Sequence, residues 1–151
     1  MRPDAQIVLA FLACAILATL LSILVYARNN GGVALVPSAL TSFLFFGFSG
    51  GAITPGLIIV SRDHGNLPAL IAHERCHQQQ MLRDGYWTWL WRYVFDLGWR
   101  QMYEVQAYRI WVQHSPDDLA RCARALVNEY GLGVSIDEAI WLLTETKNAT
   151  R

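Results

Sequence analysis

An α+β fold, mainly α, is predicted for this 151-residue chain by three observations. They are a twenty-residue run without charge near the start, a capped helix with an HExxH spacing from about residue 67, and two further capping patterns that open helices in the last third. The expected order is an N-terminal transmembrane helix over residues 1–30, then one small domain over residues 31–151. That domain holds a short strand or hairpin, a helix with two histidines, and a later helix bearing a glutamate. Without the anchor about 120 residues remain, enough for a single modest core.

Ile7 to Tyr26 reads IVLAFLACAILATLLSILVY, and as a helix it would span about 30 Å, the thickness of a bilayer's hydrocarbon. Arg2 and Asp4 precede it, and Arg28-Asn29-Asn30-Gly31-Gly32 follows as a polar stop with a glycine break. A cleaved signal peptide would have an apolar region of only about 7 to 15 residues and a small-residue cleavage site. This run is longer, Val25-Tyr26-Ala27 is a poor cleavage site, and the apolar stretch continues well beyond Cys14, which argues against a lipid-modified cysteine. A single-pass membrane location with lipid as a neighbour is therefore expected. The flanking charges nearly balance, so the orientation leans only slightly to an extracytoplasmic domain. Val33 to Phe48 is a second apolar stretch, broken by Pro37 and shorter than the about 20 residues a spanning helix needs. A buried strand, an interfacial segment and a membrane-dipping hairpin all fit it.

Next comes the helix with chemistry in it. Asn66 is placed to cap, Pro68 suits a first helical turn, and Asp84-Gly85 supplies a stop, so a helix is predicted from about 67 to 84. It carries His73-Glu74-Arg75-Cys76-His77, the HExxH spacing. At about 100° per residue the two imidazoles project within roughly 40° of each other, one turn apart, so both can reach one divalent ion. Glu74 lies about 80° round from the middle of that pair, beside the metal and poised as a base. Two histidines and one further protein ligand leave a zinc ion with a fourth position for water, whose pKa falls towards about 7. Gln80 returns to the ligand face one turn after His77 and is placed to orient it, unless it is an ordinary polar residue near a helix end.

The third ligand is expected to be Glu104, in Tyr103-Glu104-Val105-Gln106-Ala107-Tyr108, after a Trp-rich segment long enough to return the chain. Ala107 is small and allows close helix approach. Arg100, Tyr108 and Trp111 share the Glu104 face and could orient the carboxylate or screen the site. An acid on a largely apolar helix needs a partner, and an ion pair with Arg100 or Arg109 is the competing explanation. His64, Asp96 and His114 are the rival ligands. Cys76 points about 80° away from the ligand direction and reads as packing.

The runs from Gly51 to Val60 and from Leu70 to Gln80 resemble the core of minimal gluzincin-type zinc metallopeptidases, in which a strand precedes an HExxH helix and a later helix supplies a glutamate. The resemblance covers about residues 50 to 110 and implies a zincin-like domain. It implies one zinc ion bound by His73, His77 and Glu104, with Glu74 as catalytic base. It also implies a strand over residues 52 to 60 along whose edge an extended peptide lies. Pro55-Gly56 interrupts that strand, so either a short hairpin or a bulge is expected there. The function read from these residues is a membrane-anchored zinc peptidase acting on a peptide or protein, with Tyr108 helping to stabilise the oxyanion. The alternative is a non-catalytic membrane-bound interaction module whose helix pair is tied by a structural metal or by none.

The remaining segments carry less chemistry. Tyr86-Trp87-Thr88-Trp89-Leu90-Trp91-Arg92-Tyr93 suits either a surface resting on lipid headgroups or a Trp-filled core. Ser115-Pro116-Asp117-Asp118 and Ser135-Ile136-Asp137-Glu138 each open a helix, and the acids Glu129, Glu138 and Glu145 read as solvated surface. Twelve basic and twelve acidic side chains give a formal net charge of zero, so there is no basic footprint for nucleic acid. Cys76 and Cys122 could pair only if the fold and an oxidising compartment allow it. The sequence sets no oligomeric state.

Overall fold

Strands form where β-branched residues cluster between glycines. A computed structural model describes residues 19–38, 40, 50–130 and 133–145, and places β1 (Val33–Val36), β2 (Gly50–Thr54) and β3 (Leu57–Ser61) in one sheet, in the order β1-β3-β2. β1 is parallel to β3, with Val33 opposite Ile58, whereas β2 and β3 form an antiparallel hairpin. Pro55-Gly56 is the hairpin turn, a position where proline's missing N–H costs the ladder nothing. The register also slips between Ala52 and Thr54, so the hairpin and the irregularity occur together. β2 is left at an edge of the sheet.

The central strand β3 is buried on both faces. Ile58 and Val60 join Val33 in the main core, while Ile59 joins Ala34 and Val36 on the other side. A helix α1, described over residues 19–29, lays Ile23 and Ala27 on that second face; their i,i+4 spacing puts them on one stripe. Gly32 carries the chain from α1 into β1. Its φ is +83°, and a Cβ there would lie 2.8 Å from the Gly56 carbonyl oxygen.

The single-pass membrane location expected from residues 7–26 is corrected here: among the described residues no helix is long and apolar enough to cross a membrane. Residues 7–18 of that run lie outside the described residues. Its last part belongs to α1, where Ile23 packs on the sheet, so some of its apolar character serves intramolecular packing. The second apolar stretch begins as the buried strand β1, and residues 41–48 fall outside the described ones.

α2 (Leu67–Asp84) has the bounds its capping residues predict. Asn66 Oδ1 accepts from Ala69 N–H, Pro68 sits in the first turn, and Gly85 ends the helix at φ +81°. α3 (Tyr86–Phe95) and α4 (Leu97–His114) follow, separated by Asp96, whose carboxylate accepts from Trp99 N–H at 3.1 Å and caps α4. α4 packs along α2. A 3-10 turn at Pro116–Asp118 leads to α5 (Leu119–Asn128), and Ser135 caps α6 (Ile136–Thr144). α5 and α6 close the main core through Leu126, Ala139 and Leu143 against Leu70, Val105 and Tyr108. Each such fully buried aliphatic side chain contributes about 1.5–3 kcal/mol. The Trp-rich helix α3 is packed on one face and open on another. Trp89 is buried against Met81 and Tyr103, while Trp87 and Trp91 stand exposed.

Candidate metal centre and its cleft

Three side chains from two helices meet at one point. His73 and His77 on α2 and Glu104 on α4 are all buried, Glu104 with no exposed surface, and they are grouped closely enough to hold a metal ion. The two Nε2 atoms are 3.1 Å apart. Glu104 Oε2 is 3.7 Å from His73 Nε2, and Oε1 is 3.5 Å from His77 Nε2. Ligands bound tetrahedrally at about 2.0–2.1 Å stand about 3.3 Å from one another, so the spacing suits a small divalent ion. Glu104 Oε2 has no hydrogen-bond donor among the described residues, and a buried carboxylate oxygen without one is costly. The donor set and its orphaned oxygen both fit a cation.

The surroundings fix the ligands. Gln80 Oε1 lies 2.8 Å from His77 Nδ1; an N–H on Nδ1 donating to that oxygen leaves the Nε2 lone pair facing the cluster. Gln80 is held in turn by its own Nε2, which donates to the Tyr103 carbonyl at 3.0 Å and to Gln106 Oε1 at 3.1 Å. Tyr93 donates to Glu104 Oε1 at 2.5 Å. The His73 ring lies edge-on to Tyr108 at 4.5 Å. Burial, with His77 beside it, holds the His73 pKa well below 6.5, so its imidazole is neutral and able to ligate. Burial raises the Glu104 pKa, against the opposing influence of His77, Tyr93 and Tyr130.

The predicted ligands therefore come together, and the rivals do not. Asp96 is a helix cap, His114 is exposed at the end of α4, and His64 stands on the rim of a cleft. Arg100 does not hold Glu104; its guanidinium donates to the Tyr93 and Val94 carbonyls at 2.6 Å each, closing the C-terminal end of α3. Arg109 donates to the Leu142 carbonyl. Cys76 and Cys122 are free and buried, and burial pushes the Cys76 thiol up to about 11, in line with packing.

On one side the cluster opens into a cleft of about 340 Å³. The buried residues His73, Glu74 and Tyr108 line it, and α5 supplies much of its wall. Burial raises the Tyr108 and Tyr130 pKa values, so both phenols stay protonated at neutral pH. Their hydroxyls are 3.5 Å apart. Tyr93 and Tyr130 escaped the sequence reading. Tyr93 reaches Glu104 across the α3–α4 corner and Tyr130 follows α5, and neither shares a helical repeat with the ligands. Glu129 is exposed, in line with its surface reading, and also lines the cleft. On the other side of α2, Gln78 Nε2 donates to the Thr54 carbonyl at 3.1 Å and ties the helix to edge strand β2.

No family model matches the chain, and neither does any curated protein or solved structure.

Proposed function

We propose that the chain is a zinc-dependent peptidase in which His73, His77 and Glu104 hold one zinc ion and Glu74 is the general base. The observation that carries this reading is the convergence of three buried ligand groups beside a cleft that Glu74 also lines. Two imidazoles and one carboxylate are a donor set that zinc accepts readily. When bound, the ion would supply Lewis acidity, making a water more acidic and a substrate carbonyl more electrophilic. Glu74 takes the proton of the attacking water and passes it to the departing amine. Tyr108, which keeps its proton at neutral pH, donates to the carbonyl oxygen as negative charge builds there. Gln80 keeps His77 in its ligating tautomer, and Tyr93 holds one oxygen of Glu104.

A structural metal site, the competing reading, has all four positions closed by protein. The cleft at His73 and Glu74 favours the open kind. Metal content of the purified full chain, followed by assay of a mixed peptide library, tests the proposal. Glu74→Gln should keep the metal and lose hydrolysis. Equal hydrolysis by Glu74→Gln and the parent protein would remove Glu74 from the mechanism.

A further inference from the structure

We propose that the cleft beside the metal centre binds a carboxylate through Arg121 and Arg124, so that the substrate class is peptides cut close to a free C-terminus. The cleavage half of this rests on the peptidase reading; the binding half does not.

The first support is where the positive charge stands. Arg121, Arg124 and Asn128 are spaced i, i+3 and i+7 along α5, which places them on one helix face, and all three line the cleft that reaches His73 and Glu74. Arg124 makes no ion pair or hydrogen bond among the described residues. Arg121 has Asp118 at 3.9 Å, and its guanidinium lies 5.1 Å over the Trp111 ring, which limits its movement. Glu129 is the opposing acid on the wall, and Glu74 is already assigned to proton transfer.

The second support is a surplus of donors at His64, which also lines the cleft. Asn66 N–H points at His64 Nδ1 from 3.1 Å, and Arg121 Nη2 points at His64 Nε2 from 2.7 Å. A neutral imidazole has one lone pair in its plane and cannot accept from both; protonating it leaves none. The backbone amide cannot turn away and the guanidinium cannot lose its proton. One N–H at this corner therefore lacks an acceptor, and Arg121 is the partner able to find one in the cleft. A carboxylate supplies two oxygens in the geometry a guanidinium fork prefers.

Size sets the distance to the scissile bond. A cavity of about 340 Å³ is roughly 9 Å across if compact, and an extended residue covers about 3.3–3.6 Å, so on the order of two residues fit between the metal centre and the arginines. An internal stretch of peptide would put neutral amides against these donors, whereas a chain end puts an anion there. In the reaction, water oxygen bonds to the carbonyl carbon, the C–N bond breaks, and the amine leaves with the proton relayed by Glu74. The products are a shortened peptide and a free amino acid or dipeptide.

The test uses the full zinc-loaded chain and a library of N-acetylated tetrapeptides, prepared both as free acids and as C-terminal amides. Free acids should be cleaved with about 10- to 100-fold higher kcat/KM, the scale of a charge-assisted pair, and lose one or two C-terminal residues. Arg124→Ala, a change at an exposed side chain, should raise KM for the acids and bring the acid-to-amide ratio towards one; Arg124→Lys should restore part of it. Calorimetry on zinc-loaded Glu74→Gln reads binding without turnover, and acids should bind about tenfold tighter or better. Acids and amides cleaved equally would overturn the carboxylate site and leave the peptidase reading standing. Acids bound more tightly but neither form cleaved would do the reverse. Amides carrying an acidic side chain that match the free acids would reassign the site from the chain end to that side chain.

Discussion

Replacing Glu104 by Gln should make the metal-free protein more stable and the metal-loaded protein less so. In the wild-type protein the Glu104 carboxylate has no exposed surface, and among the described residues Tyr93 donates to Oε1 while Oε2 has no donor. A buried charged acceptor left unsatisfied costs about 1–3 kcal/mol. In the glutamine variant the carbonyl oxygen can still accept from Tyr93. The new NH₂ group takes the place of Oε2, 3.7 Å from His73 Nε2, and gains a lone pair to donate to. At about 2–4 °C per kcal/mol for a chain of this size, Tm in chelator should rise by about 2 to 12 °C.

The gain should depend on pH in a definite direction. Burial raises the Glu104 pKa above its ordinary 4.5, so the folded state holds the proton more tightly than the unfolded chain does. The stabilising effect of that bound proton is complete below pH 4.5 and disappears as pH rises through the folded-state value. The variant's advantage should accordingly be small below pH 4.5 and full above the folded-state value. With zinc present the order reverses, because a ligand at 1,000 times its Kd stabilises the native state by about 4.1 kcal/mol and the variant has lost one of three ligand groups. Differential scanning calorimetry with chelator and with zinc, at several pH values, gives all these quantities. If Glu104→Gln lowers the metal-free Tm at neutral pH, Glu104 is a structural partner of the histidines and the reasoning fails.

His77→Ala should reduce bound metal from one equivalent to nearly none by atomic absorption, since it removes a ligand that Gln80 holds in place. Glu74→Gln should keep the metal and lower kcat about 10²- to 10⁴-fold, the usual scale for a positioned general base; loss of metal in that variant would make Glu74 a ligand. Asp84 accepts from Arg83 and from Tyr103, and these donors, with Arg92 nearby, lower its pKa to about 2. Its folded pKa is depressed, so its contribution is present above the unfolded value of 3.8 and fades as pH falls towards 2. Asp84→Asn should therefore cost about 1–2 kcal/mol in urea denaturation at pH 6, a figure reduced because the Arg83 side chain is half exposed, and almost nothing at pH 2. Gly32→Ala combines a positive φ with a Cβ 2.8 Å from a carbonyl oxygen and should cost about 1–3 kcal/mol; an unchanged Tm would mean that the α1–β1 corner moves freely.

What could be read from sequence was whatever lies within one helical repeat. The bounds of α2 follow from Asn66, Pro68 and Gly85, because caps act through the backbone groups beside them. The His73–His77 pair and the return of Gln80 follow from 3.6 residues per turn, and Glu104 stood out because an acid on an apolar helix face needs a partner. Apart from Glu104, contacts between elements were out of reach. Arg100 shares a helix face with Glu104 yet serves the end of α3, because the turn at Asp96 brings open carbonyls within its reach. Tyr93 and Tyr130 reach the site by packing, and β1 joins β3 in parallel only after the chain has crossed over, which no local pattern announces. The apolar run at the start was read from its length, its lack of charge and its polar flanks, and none of these separates a lipid-facing helix from one that lays Ile23 and Ala27 on a sheet.

Glu74 and Glu104 show how one side-chain chemistry is put to two uses by placement. Both are buried, and both come from helices that pack on each other. Glu104 points among the imidazoles, has an oxygen without a donor, and belongs to the group able to hold an ion; Glu74, next to His73 in sequence, does not. The 100° step of the helix turns Glu74 out of that group and towards the cleft. A protein that needed the metal only as a staple would gain from filling the cleft side with a fourth ligand or an apolar side chain, since either would remove a buried acid that the staple does not use. Keeping Glu74 there, in a cleft that Tyr108 and two arginines also line, carries the desolvation cost of a buried acid and is useful for handling a polar ligand. On the proposed reading that cost is the trace left by catalysis, and it has a measurable corollary. Glu74→Leu, which fills the same space without charge, should raise the Tm of the zinc-loaded protein while abolishing turnover. A fall in Tm would mean that Glu74 is held there for stability, and the division of labour between the two glutamates would have to be abandoned.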